Sequence, residues 1–186
     1  MPSPTGYWNE EEAATGHDFS YRLAKFIGQY FEKHVPVNDF GCGKGEYLRY
    51  LHDIGFKSLC GYEGVVLPGR DFSDICQQDL TDPFVVKDKG HVICLEVGEH
   101  IPAEYFESLI GNITHNVKYG CKLFLSWAIP GQAGYGHVNC QHNIYIIDKL
   151  ESLGFTLLLE DTLNARAAVE ERFGYFRNTI MIFKHG

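Results

Sequence analysis

Gly41, Gly43 and Gly45 stand at alternate positions directly after the run Val37-Asn38-Asp39-Phe40, and an acid, Glu63, ends the next apolar run. Glycines without a Cβ let backbone approach a ligand that side chains would exclude. A carboxylate at the tip of a neighbouring strand can accept both hydrogen bonds of a ribose diol. Together these residues describe a pocket for a nucleoside-containing cofactor at the carboxyl ends of parallel strands.

The identity of that cofactor turns on spacing and charge. A dinucleotide fingerprint reads Gly-x-Gly-x-x-Gly, with the pyrophosphate on the helix N-terminus. Here the third glycine, Gly45, comes one residue early. Asp39, just ahead of the turn, would repel a pyrophosphate and suits a cation. S-adenosylmethionine carries a sulfonium and an ammonium and no phosphate, and fits better. A ligand-free structural turn and a dinucleotide site are the competing readings.

Residues suited to proton transfer follow. His100 comes after the fourth apolar run, and His137 and His142 flank a glycine-rich segment beginning at Pro130. His17 opens the first helical pattern. A hydroxyl acceptor must lose a proton, and histidine titrates near working pH. His137 and His100 are the candidate bases; Trp127, Asn139, His142 and His17 are candidate substrate contacts. A purely structural or surface role is the alternative for each histidine, and core filling for Trp127. Glu96 and Glu99 could orient a histidine or neutralise a sulfonium, or simply cap a helix. Glu96, Glu99, His100, His137 and His142 could hold a metal, but their spacing matches no recognised ligand pattern. No Asp-Asp or Asp-Asn cluster of the kind that holds Mg²⁺ follows the fourth or fifth run. The expectation is therefore no metal.

These residues must be positioned by alternating strands and helices. Strands are expected at 35–40, 58–62, 75–78, 91–96, 122–127, 155–160 and 179–183. Helices are expected from His17 to Phe31, from Tyr47 to Ile54, after Pro102, from Gln141 to Leu153 and within 163–173. The continuous apolar run Val92-Ile93-Cys94-Leu95 is of the kind buried in parallel sheets. The alternation predicts a single α/β domain, a doubly wound, Rossmann-like sheet, over residues 17–186. Residues 1–16, rich in Pro, Gly and Glu, read as an N-terminal arm, a loop carrying Tyr7 and Trp8 that could fold over substrate or pack an aromatic on the surface.

Bulk properties narrow the partners. The chain has 186 residues, 45% hydrophobic and 14% aromatic, which suits one folded domain. Net charge is -8 and no Lys/Arg cluster is present, so nucleic acid is a poor partner. No apolar run reaches the 18 residues or so of a membrane span. The six cysteines, Cys42, Cys60, Cys76, Cys94, Cys121 and Cys140, include no Cys-x-x-Cys pair. Nothing resembles a signal peptide, and a reduced, cytoplasmic setting is expected.

Asp39-Phe40-Gly41-Cys42-Gly43-Lys44-Gly45 resembles the first motif of class I S-adenosylmethionine-dependent methyltransferases. Gly61-Tyr62-Glu63 resembles their second motif, Gln78-Asp79-Leu80 their third, and Leu95-Glu96-Val97-Gly98-Glu99-His100-Ile101-Pro102 their fourth strand with the segment lining the transfer site. The resemblance covers roughly Val35 to Lys184. It implies a mostly parallel seven-stranded sheet whose last strand inserts antiparallel beside the fifth. It also implies that Asp39, Gly41, Cys42 and Gly43 shape the methionine end, Glu63 holds the ribose, Asp79 and Leu80 address the adenine, and Glu96 lies near the sulfonium. The Gly-His-Val-Asn stretch ending at Asn139 resembles the corresponding loop of methyltransferases acting on sugars and related hydroxyl compounds. The expected activity is O-methylation of a sugar or other small hydroxyl acceptor. An amine or protein side chain as acceptor, and a non-catalytic subunit of the same fold, remain alternatives.

Overall fold

The computed structural model describes residues 2–186. A short helix α1 (Glu10–Thr15) and a longer α2 (Tyr21–Tyr30) precede β1 (Val37–Phe40), α3 (Glu46–Asp53), β2 (Leu59–Glu63) and β3 (Ile75–Gln77). Then come β4 (His91–Cys94), α4 (Phe106–Asn116), β5 (Lys122–Leu125), α5 (Asn143–Glu151), β6 (Phe155–Leu157), α6 (Leu159–Ala168), α7 (Phe176–Thr179) and β7 (Met181–His185). The strands form one sheet in the order β3-β2-β1-β4-β5-β7-β6. The first five are parallel; β7 runs antiparallel to both β5 and β6. This is the expected doubly wound sheet with its antiparallel last strand.

Alternation along the strands feeds two cores. Leu123, Leu125, Met181 and Phe183 face α4 and α5, where they meet Leu109, Ile113, Ile146 and Leu150. Phe124 and Ile182 face the other way, onto the layer of α2, α3 and α6, with Leu23, Ile27, Leu48, Leu51 and Ala165. β1 and β4 are buried at every position, as strands covered on both faces must be. Phe124 sits in a ring of aromatics, 5.2 Å from Phe31, 5.6 Å from Tyr30 and 6.2 Å from Phe26. Its truncation to alanine should cost about 3–5 kcal/mol, because the ring leaves a cavity that rigid neighbours cannot fill. Urea denaturation of Phe124→Ala measures it; a loss under about 1 kcal/mol would contradict this packing.

Several boundaries differ from the sequence reading. The first long helix starts at Tyr21, because the Ser20 hydroxyl accepts the Leu23 N–H and caps it. His17 is thereby left in extended chain. β4 ends at Cys94, short of Glu96, which takes φ 54° in the left-handed region and turns the chain out of the sheet. Pro102 precedes a single 3₁₀ turn, Ala103–Tyr105, that leads into α4. β6 is cut to Leu157 because the helix expected at 163–173 begins at Leu159. The N-terminal arm is not simply a loop: α1 is fixed by a capping box in which the Asn9 side chain accepts from Glu12 N–H and the Glu12 carboxylate from Asn9 N–H.

Strand order reverses between β1 and β4, and the crevice outside their carboxyl ends is where open α/β sheets take ligands. Among the described residues, no helix is long and apolar enough to cross a membrane.

Candidate cofactor and acceptor site

A cavity of about 560 Å³ opens at that crevice. One half is made by the turn after β1 and the ends of β2 and β3. Gly41 has φ 73°, and a Cβ there would come 2.4 Å from Val97 Cγ2. Gly43 has φ 54°, and a Cβ there would come 2.6 Å from the His17 ring. Only glycine fits either position without displacing its neighbour. The Gly43 N–H donates to Glu63 Oε2 at 2.8 Å, and the Gly64 N–H to Oε1 at 2.9 Å. Glu63 is thus held at the end of β2 on the cavity wall, with acceptor capacity left for a ligand hydroxyl.

Asp39 lies beneath this turn, 3% exposed, and its Oδ2 has no hydrogen-bond partner. Burial, reinforced by the charge of Glu63, pushes its carboxyl up to about 8. A buried acid beside a second acid, facing a cavity, is a place where a cation would be welcome. Cys42 also lines the cavity, but burial pushes its thiol well above the usual range, so it is no nucleophile. Leu80 and Asp79 line the far end. Asp79 is engaged from two sides. Its Oδ1 accepts the Thr81 N–H at 2.9 Å and hydroxyl at 2.8 Å, and Oδ2 accepts the Thr5 hydroxyl at 2.5 Å.

The other half is built from the segments after β4 and β5. Val138 and Asn139 N–H groups donate to the Glu99 carbonyl at 2.8 and 2.9 Å, which ties the two segments together. His100 and His137 consequently meet with ring centroids 5.0 Å apart. Burial, with His137 beside it, lowers His100 to about 4, so its ring is neutral at pH 7. Glu96 lines the cavity below them; its N–H donates to Ser126 Oγ at 2.7 Å and its Oε2 accepts from Gln132 at 3.1 Å. His17 lines the cavity too, and burial lowers its pKa.

Three expected substrate contacts do not line the cavity. Trp127 is fully buried; its ring packs on Phe106 at 5.5 Å and against Gly98, where a Cβ would come within 2.2 Å, and its Nε1 donates to the Asn139 carbonyl at 2.6 Å. It is a core residue that shapes the site from behind. Asn139 is 4% exposed and serves the loop: its Oδ1 accepts from Gln141 at 2.6 Å. His142 is exposed and precedes α5, which leads the chain away from the crevice. His142→Ala should therefore leave cofactor affinity and turnover within about twofold of wild type; a tenfold loss in either would place it back in the site.

The N-terminal arm supplies residues absent from the expected site. Gly6, Tyr7 and Trp8 line the cavity. The Trp8 ring lies between His17 at 5.3 Å and His100 at 5.0 Å. Tyr135, from the segment after β5, donates to Glu12 at 2.6 Å and ties the arm to that segment. An aromatic pair inside a Pro- and Gly-rich segment was the available signal, but spacing alone could not place it over the site.

No protein-family model matches this chain, and no curated protein matches it by sequence. Solved structures do. Magnesium protoporphyrin IX methyltransferase from Synechocystis, determined with S-adenosylmethionine, aligns at TM-score 0.59 and 23% identity over 88% of this chain and 76% of that one. A TehB-like S-adenosylmethionine-dependent methyltransferase from Corynebacterium glutamicum aligns at TM-score 0.62 and 16% identity over 95% and 93%. The glycopeptide N-methyltransferase MtfA, with S-adenosylhomocysteine, aligns at TM-score 0.62 and 13% identity over 92% and 89%. At these identities the likeness is one of architecture, and architecture does not fix an acceptor. The seven-stranded sheet, its antiparallel last strand and the crevice at its carboxyl ends give this chain the fold of class I S-adenosylmethionine-dependent methyltransferases.

Proposed function

We propose that this chain is an S-adenosylmethionine-dependent methyltransferase acting on an oxygen of a sugar or other small hydroxyl acceptor. The observation that carries the cofactor is Asp39, a buried carboxyl with an unpartnered oxygen under a glycine turn, beside Glu63. The donor's ammonium would meet Asp39, its ribose Glu63, and its adenine the pocket of Leu80 and Asp79. Its sulfonium would then face Glu96. A dinucleotide would bring phosphates against two acids and has no such support.

Methyl transfer is an in-line displacement in which the acceptor oxygen forms a C–O bond as the C–S bond breaks. The donor is already activated, so orientation is the larger contribution, roughly 7–11 kcal/mol in well-positioned pairs. The acceptor proton is the remaining problem. His137 and His100 line the cavity and would take it, and a positioned base adds about 10²–10⁴-fold. Trp8, with the arm over the cavity, limits the acceptor to something small enough to enter beneath it.

The test is transfer of labelled methyl from S-adenosylmethionine to a panel of sugars, small alcohols, phenols and primary amines. Label on an oxygen of a hydroxyl compound supports the reading. Transfer to amines alone would replace it with N-methylation, and no transfer from a protein that binds the donor would favour a non-catalytic subunit.

A further inference from the structure

We propose that Glu99, His100 and His137 form a binding site for one divalent first-row transition-metal ion at the acceptor end of the cavity. The inference rests on the oxygen-methylation reading and deepens it. One ligand atom from each of the three residues lies within 4.8 Å of the others, a cluster a single ion can span. Glu99 is fully buried, neither of its carboxylate oxygens makes a well-formed hydrogen bond, and the side chain beside it is a second acid, Glu96. A buried carboxyl left without hydrogen bonds costs several kcal/mol unless a cation or a proton meets it.

The imidazoles are arranged to match. His137 Nδ1 lies 3.2 Å from the Gln132 carbonyl, which as an acceptor calls for the proton on Nδ1 and leaves Nε2 as the free lone pair. His100 Nδ1 is buried and makes no well-formed hydrogen bond, with the Gly136 backbone beside it. The two N–H···O bonds from Val138 and Asn139 to the Glu99 carbonyl hold the segment carrying His137 against the one carrying Glu99 and His100. Glu96, steadied by Gln132 and Thr179, adds a second acid behind the cluster.

One carboxylate with two imidazoles suits Mn²⁺, Co²⁺, Ni²⁺ or Zn²⁺ better than Mg²⁺, which prefers an all-oxygen shell. Three protein ligands leave coordination positions open, and His100 and His137 both reach the cavity wall. A hydroxyl oxygen of the acceptor can fill one of them. Binding to the ion lowers the hydroxyl pKa. Its proton passes to solvent, the oxygen lone pair attacks the methyl carbon, and the C–S electrons remain on sulfur as neutral S-adenosylhomocysteine. On this view the histidines act in proton removal by holding the ion.

The experiment is titration of untagged, chelator-stripped protein with Co²⁺, followed by visible d–d absorption. S-adenosylhomocysteine calorimetry is run on the same samples. One equivalent of Co²⁺ is expected to bind wild type and His142→Ala alike. Binding should weaken by more than about 100-fold in Glu99→Gln and His137→Ala, since loss of even an outer partner costs 10–100-fold. Glu99→Gln keeps the side-chain shape, so its thermal melt guards against misfolding as the cause. No uptake by wild type that still binds S-adenosylhomocysteine would overturn the metal site and leave the methyltransferase reading intact. So would uptake unchanged in both variants. Uptake at the three residues without any S-adenosylhomocysteine binding would instead sink the cofactor reading.

Discussion

Asp39→Asn is expected to abolish tight cofactor binding while stabilising the empty protein at alkaline pH. The two effects share one cause. In the empty fold the Asp39 carboxyl is pushed up to about 8 by burial and by Glu63, against about 3.8 when the chain is unfolded. Between those values the unfolded chain has released a proton that the folded chain retains. Stability from this group is thus complete below pH 4 or so and declines as pH rises towards 8, by up to about 1.4 kcal/mol per pH unit. Asparagine has no proton to lose, so the slope should fall to the part left by the other buried acids, Glu63, Glu96 and Glu99, whose carboxyls burial also raises; urea titrations at pH 5, 6, 7 and 8 would show it.

A bound cation reverses the balance, because it pairs with the ionised carboxylate. Affinity of wild type for S-adenosylhomocysteine, which retains the ammonium, should therefore rise with pH and level off near 8, with a proton released on binding below that. Removing one member of a buried charge pair costs about 2–5 kcal/mol, roughly 30- to several-thousand-fold in affinity. Asp39→Asn with unchanged affinity and an unchanged pH slope would remove Asp39 from the site.

His137→Ala should lower kcat towards a hydroxyl acceptor by about 10²–10⁴-fold and leave S-adenosylhomocysteine affinity within about threefold. The split follows from geometry. His137 sits against His100 on the segment after β5, whereas Glu63 and Asp79 come from the ends of β2 and β3. On the proposed reading, its loss removes the group that handles the acceptor proton, by accepting it or by holding an ion that acidifies it, and leaves the proposed cofactor contacts in place. An amine acceptor, neutral and already nucleophilic, would feel the change far less. Equal loss of cofactor affinity and kcat would mean that His137 merely props up the fold.

The glycine turn and the acids proposed to hold the cofactor were legible because their constraints are local. Gly41 and Gly43 are needed for their left-handed backbone and for close approach, and both show in the sequence as glycine. Glu63 ends an apolar run and Asp79 follows a short strand, and in a parallel sheet the ends of successive strands fall at one edge. The acceptor half was not legible in the same way. Trp127 and Trp8 are both aromatics beside a predicted site, yet one points into the core behind Gly98 and the other, from a segment far away in sequence, covers the cavity. Spacing carries no sign of that difference. His142 is near His137 in the chain, but the start of α5 at Asn143 directs it outward. Asn139 works through its backbone, which no side-chain pattern records. Glu99, His100 and His137 show no ligand spacing, because two segments brought together by a backbone clamp make the cluster.

The most direct test of the account is calorimetric titration of the purified protein with S-adenosylhomocysteine and, separately, with NAD. Saturable binding of S-adenosylhomocysteine at one site is expected, in the micromolar range and lost in Asp39→Asn, with no heat from NAD. Binding of NAD alone would contradict it, as would S-adenosylhomocysteine binding that Asp39→Asn leaves untouched.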